Sequence, residues 1–257
     1  MVSTRHHPND FPPPPTSTTP TTPTTPSPSS NNNNTTTTTK KWVHTPSTAI
    51  TLWLFFSTPV VLWDASYVLL RPHSMPGHAL HSPLWTPYAL YGTIDYMYGW
   101  PAFNARNGFT AAQTVLNLFE CAGYLYYLAV VYTHGTTQTA ATGRGGQRNH
   151  PGNKGVKWLL TEPKVVAGRT GALALLVAYS ASVMTLGKTV LYWLNEVFSG
   201  FDNVGHNDFW TLLFYWIIPN GLWIIFPGYN MYILGAEIVA ALETAVPRQR
   251  VGRPKSS

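Results

Sequence analysis

Apolar residues in this chain gather into long runs separated by polar or Pro- and Gly-containing connections. Four runs, at 48–70, 109–133, 166–194 and 209–234, each supply the about 20 mainly apolar residues that a membrane-spanning helix needs. The pattern predicts an all-α membrane protein built as a four-transmembrane-helix bundle. Polar residues punctuate the runs: Pro59 and Asp64 in the first, Gln113, Asn117 and Glu120 in the second, Lys188 in the third. The fourth holds Pro219-Asn220 and Pro227-Gly228, which read as breaks. Proline inside a span kinks the helix and frees carbonyls that neighbours must satisfy. Of the connections, 71–108 is long and rich in aromatics and histidines, and its stretch 83–91 reads as an amphipathic interfacial piece. The next, 134–165, is Gly-rich and basic, and 198–208 is a short turn.

Composition divides the chain further. A mean hydropathy of −0.04 averages an apolar body with a different N-terminal segment. Residues 1–40, with Pro12 to Pro15, Asn31 to Asn34 and Thr35 to Thr39, hold too little apolar surface to offset the entropy of ordering. The expected division is a disordered tail over 1–40, one membrane domain over 41–246 and a basic tail over 247–257. Ten tryptophans and a charged fraction of 10% fit a body partly solvated by lipid. The single cysteine, Cys121, excludes an internal disulfide framework and reads as a small buried hydrophobe. The polar N-terminus has no apolar signal-peptide core, so the first span is expected to act as its own insertion signal.

Charge sets the expected orientation. Arg144, Arg148, Lys154, Lys157 and Lys164 fall in the second connection, Arg248, Arg250, Arg253 and Lys255 in the C-terminal tail, and Lys40 and Lys41 before the first span. The first and third connections hold only Arg71 and Arg106. With an even number of spans the basic segments share one side, which positive-inside bias places in the cytosol with both termini. The net charge of +6 does not form an aromatic-studded basic patch, which excludes nucleic-acid binding.

Ionisable groups inside a bilayer are costly and face the bundle interior with partners. Gln113, Asn117 and Glu120 recur on one helix face, as do Lys188, Tyr192 and Asn195, and also Asn220 and Trp223. With Asp64, these stripes describe either a cavity with converging polar groups or interhelical hydrogen bonding, with an Asp64–Lys188 ion pair as a further alternative. His73, His78 and His81 lack metal-ligand spacing and read as solvated imidazoles, while His206 reads as fixing the short turn. No phosphate loop, nucleophile elbow or metal motif occurs, and no cofactor is implied.

The segment Phe209-Trp-Thr-Leu-Leu-Phe-Tyr-Trp-Ile-Ile-Pro-Asn-Gly-Leu-Trp-Ile-Ile-Phe-Pro-Gly228 resembles the last span of the emopamil-binding protein family, the sterol Δ8–Δ7 isomerases. Gly187-Lys-Thr-Val-Leu-Tyr-Trp-Leu-Asn-Glu196, Gly200-Phe201 and Gly205-His206 resemble the segment before it. Leu62-Trp-Asp64, Leu69-Leu-Arg-Pro72 and Ile94-Asp95-Tyr96 are closer to the sigma-two receptor and its relatives. Both belong to the EXPERA group of four-helix sterol proteins, and the resemblance covers roughly residues 48–243. It implies a sterol or terpenoid ligand in an intramembrane cavity, residence in the endoplasmic reticulum, and compatibility with a homodimer.

The resemblance also implies roles. Asn220 and Trp223 would line the sterol cavity, the indole face steadying a ring carbocation. Asp64 stands at the family's first-span acid, while Val60 replaces a histidine and Gln113 falls on or beside a glutamate. Asn117 falls at a polar cavity position. Double-bond migration needs an acid and a base. Asp64 and Glu120 are therefore the expected catalytic pair, with Gln113, Asn117, Lys188, Tyr192, Asn220 and Trp223 binding substrate. The competing expectation is a non-catalytic sterol or lipid binder of the same family. A channel or transporter has little support, since the chain lacks internal repeats.

Overall fold

The computed structural model describes residues 42–137 and 155–245. The tail over 1–40, the basic stretch around Arg144 and Arg148, and the basic tail over 247–257 lie outside these residues, as do the domain boundaries drawn through them.

Each predicted run forms a helix. The first is α1 (Thr48–Leu69); α2 (Pro87–Ile94) and α3 (Trp100–Asn104) follow in the first connection. The second run is α4 (Phe109–His134), and α5 (Val156–Thr161) precedes the third, α6 (Gly168–Phe198). The fourth run comprises α7 (Phe209–Leu212), a π-helical turn (Leu213–Ile217) and α8 (Ile218–Ala245). Four helices, α1, α4, α6 and the continuous run Phe209–Thr244, are long and apolar enough to cross a membrane. Large apolar side chains such as Phe56, Phe119, Phe209, Ile225 and Tyr232 point outward. A helix apolar all round fits a lipid-facing surface, where outward hydrophobics cost nothing.

Three expectations about these runs need correction. The third helix begins at Gly168, because Val166 and Ala167 belong to a strand, and it runs on to Phe198. The fourth does not break at its prolines and continues to Ala245, eleven residues beyond 234. Its strain is absorbed by the π turn, in which the Ile218 N–H donates to the Leu213 carbonyl, so the wide turn falls just before Pro219. Thirdly, the fold is mostly but not wholly helical. A small sheet of order β1-β3-β2 joins β1 (Val43–His44), β2 (Thr136–Thr137) and β3 (Lys164–Ala167), all antiparallel. Two-residue strands are too short to show an alternating pattern.

This sheet ties together the start of α1, the end of α4 and the start of α6. It also buries Lys164, one of the basic residues of the second connection: its ammonium donates to the Leu159 carbonyl at 2.7 Å and lies 5.5 Å from the Trp158 ring. Within β1, the His44 side chain is fully buried between Tyr127 and Glu237, 3.0 Å from each.

Helices α1, α4, α6 and α8 pack in that order, each on the next. The small side chains Ala174, Ala178 and Ala181 of α6 are buried in the main core with Tyr124, Tyr127 and Val131 of α4, and small residues permit such close approach. Between α1 and α8 the contact is aromatic: Trp53 meets Trp223 edge-on at 5.2 Å and stacks on Phe226 at 4.1 Å. At the opposite end from the sheet, the first and third connections interlock. The His206 Nε2–H donates to the Thr93 carbonyl at 2.7 Å and its ring stacks on Tyr96 at 4.0 Å, while the Asn207 amide donates to the Ile94 carbonyl. His206 therefore fastens the turn to the first connection. Gly200 supplies the left-handed conformation (φ 72°) that starts this turn.

Candidate functional site

The four long helices and the first connection surround a cavity of about 470 Å³. That volume lies within the range of about 300–1,000 Å³ usual for small-molecule sites. Val60, Val61, Trp63 and Asp64 of α1 form one wall, and Phe214, Tyr215, Pro219, Asn220 and Trp223 of the fourth span form the opposite one. Gln113 of α4 and Lys188, Thr189 and Tyr192 of α6 make the back; Pro87, Tyr88, Leu90, Tyr91 and Tyr98 of the first connection cover the end.

Local structure aims these side chains. The π turn and Pro219 shift the register of the fourth span, and the Asn220 side-chain amide donates to the Trp216 carbonyl at 2.8 Å. Asn220 and Trp223 then face the cavity from one side of α8. Asp64 lies one helical turn past Val60 on α1. It accepts hydrogen bonds from the Tyr88 hydroxyl at 2.6 Å and from the Tyr98 hydroxyl at 3.4 Å. Burial, and then the Asp64 carboxylate, push both phenols above their ordinary range, so they stay protonated donors.

A second polar cluster centres on Lys188. Its ammonium contacts the Asn117 side-chain oxygen and forms an ion pair with Glu120 at 3.0 Å, and its carbonyl accepts from the Gln113 amide at 3.1 Å. The Thr185 hydroxyl donates to the same Glu120 oxygen at 2.8 Å. The stripe Gln113, Asn117 and Glu120 thus meets one residue of α6. Lys188 is paired with Glu120, not with Asp64.

Of the expected site residues, Asp64, Gln113, Lys188, Tyr192, Asn220 and Trp223 come together around one space. Asn117 and Glu120 do not line it; both are buried behind Lys188. No family model, curated protein or solved structure matches this chain. The site therefore has to be read from its own chemistry: apolar and aromatic walls, one carboxylate held by phenols, and one ammonium backed by a carboxylate.

Sequence reasoning passed over the cover. Tyr88 and Tyr98 hold Asp64, and Asp95 ties the first connection to the spans. Asp95 is fully buried; it accepts from the Tyr192 hydroxyl, from the Trp216 indole at 3.0 Å and from the Met97 N–H at 3.0 Å. Burial outweighs these bonds and pushes its carboxyl from 3.8 up to about 6. The available signal was the crowding of Tyr88, Tyr91, Tyr96 and Tyr98 around Asp95, the sole acid of the 71–108 connection. Among the described residues, no three His, Cys, Asp or Glu side chains are grouped to hold a metal ion.

Proposed function

We propose that this protein is an EXPERA-like, multi-pass membrane protein of the endoplasmic reticulum that binds a sterol or related terpenoid in this cavity and moves a ring double bond. The observation that carries the reading is the pairing of Asp64 on α1 with Asn220 and Trp223 across a largely apolar space bordered by spans. A flat hydrocarbon skeleton fits apolar walls, and a cationic intermediate fits an indole face opposite a carboxylate.

The reaction needs no cofactor. A proton adds to one alkene carbon, leaving a tertiary cation, and a proton then leaves a carbon on the other side to form the new double bond. Asp64 is the group at the cavity wall able to carry one of these protons, its hydrogen bonds to Tyr88 and Tyr98 fixing its orientation. Glu120 reaches the cavity only through Lys188, so the other proton passes by way of the Lys188–Glu120 pair. Gln113, Asn117 and Tyr192 serve binding and positioning.

The test is turnover of a Δ8 sterol by the purified protein, read by mass spectrometry. Wild type should give the shifted isomer, and Asp64→Asn should lower the rate by orders of magnitude with little change in sterol affinity. An unchanged rate in Asp64→Asn would remove Asp64 from the reaction. The second reading is a non-catalytic sterol binder of the same group. It is favoured by the engagement of Glu120 with Lys188 and Thr185, away from the cavity wall. Its signature is sterol binding by a wild type that forms no product.

A further inference from the structure

Lys and Arg are scarce at one end of this molecule. Between residues 42 and 137 the chain contains only Arg71 and Arg106, and the 198–208 turn contains none. Both arginines line one pocket of about 510 Å³, distinct from the sterol-sized cavity. Arg71 follows the end of α1 and Arg106 precedes the start of α4, so the pocket sits where two spans end together. Val68, Phe103 and Ala111 give it an apolar side; Asn104 and Asn107 add amides, and its lining holds no carboxylate.

Among the described residues, no carboxylate stands at ion-pair distance from either guanidinium, although the Asp64 carboxylate acts on Arg71 from further away. Arg71 is fixed in place: its Nε–H donates to the Val68 carbonyl at 3.3 Å, Nη1 to the Met97 carbonyl at 3.1 Å and Nη2 to the Thr110 hydroxyl at 2.8 Å. A guanidinium has five N–H donors, so two remain for a ligand. Arg106 sits in the left-handed backbone region (φ 53°), which a non-glycine residue occupies at a cost. That conformation sets an exposed arginine, with no side-chain partner among the described residues, on the rim of the pocket that Arg71 enters.

We propose that Arg71 and Arg106 clasp the phosphate of an anionic membrane phospholipid, with an acyl chain leaving past the half-buried Phe103 and Ala111. Planar guanidinium forks match phosphate oxygens in charge and in donor spacing. A basic pocket beside the ends of two long apolar helices would lie near lipid headgroups, and the half-buried Phe103 and Ala111 offer an apolar flank beside the arginines. A free phosphate would use the same donors but not the apolar side. The proposal does not depend on which reaction, if any, takes place in the larger cavity.

Native mass spectrometry of the detergent-purified full chain tests this, with dioleoyl phosphatidic acid as the probe. Dioleoyl glycerol, which lacks the phosphate, and glycerol 3-phosphate, which lacks the chains, separate the sources of affinity. Phosphatidic acid should bind more tightly than either, with one tight site. Arg106→Gln should weaken it about tenfold, as expected for a lost charged hydrogen bond, and Arg106→Lys should weaken it less. Arg106 is exposed, so these variants fold; their intact melting temperatures in detergent serve as the check. Equal phosphatidic acid binding by wild type and Arg106→Gln would overturn the proposal. So would glycerol 3-phosphate binding as tightly as phosphatidic acid, which would make this a site for soluble anions.

Discussion

At the scale of single residues, burial dictates what each polar side chain can do. Trp223 is both a cavity wall and the edge-on partner of Trp53. Trp223→Ala therefore removes a ring face from the ligand and a neighbour from α1. If an amine-bearing sterol mimic binds in the cavity, the change should weaken it by about 1–3 kcal/mol, and Trp223→Phe should cost less. Isothermal titration in detergent measures this, and equal binding by wild type and Trp223→Ala would put the ligand elsewhere. Asp95 gives a pH test. Its carboxyl is raised from 3.8 to about 6, so the folded state holds the proton more tightly than the unfolded chain does. The resulting stabilisation is complete below the unfolded value and is lost as pH rises through about 6, amounting to on the order of a few kcal/mol. Asp95→Asn cannot titrate. Its melting temperature should gain on that of the wild type as pH rises between those values; a constant difference would mean that Asp95 does not ionise on this scale.

At the scale of elements, the bundle is joined by a few polar contacts set in apolar surroundings. The Lys188–Glu120 pair with Asn117 and Thr185 joins α4 to α6 midway along both helices. Removing one partner leaves the other charged and buried, which costs more than the pair is worth. Lys188→Met should lower stability by about 3–5 kcal/mol, and Lys188→Met with Glu120→Gln should recover part of that loss. Melting curves in detergent for the single and double variants decide this; additive losses would show that the pair is not coupled. The fourth span illustrates the same economy in the backbone. Its π turn absorbs the missing N–H of Pro219, and the helix then passes Pro227 without interruption.

For the whole molecule, the arrangement of loops and charges gives a topology to test. If positive-inside bias places both termini in the cytosol, a glycosylation acceptor introduced near His78 should be modified in microsomes, and one introduced near Gly145 should not. The opposite pattern would invert the orientation. The two ends of the bundle are built differently: a small sheet with the buried His44–Glu237 contact closes one, and the interlocked connections carrying Tyr88, Asp95, Tyr98 and His206 close the other. The cavity lies toward the second end, and its cover is drawn from the connection and not from the spans.

The four long apolar helices were readable from sequence because about 20 apolar residues in a row have few other stable fates. Their polar stripes were readable too, since helical periodicity fixes which residues share a face, and Gln113, Asn117 and Glu120 do converge on Lys188. Periodicity does not say what a face meets. Only the packing order of α1, α4, α6 and α8 gave Lys188 to Glu120 instead of Asp64, and set Glu120 behind the cavity wall. The tyrosine partners of Asp64, the tie from Asp95 to Tyr192 and Trp216, and the meeting of Arg71 with Arg106 depend on how connections fold back across the span ends. Those contacts join residues far apart in the chain and carry no repeating pattern, so tertiary structure alone decides them.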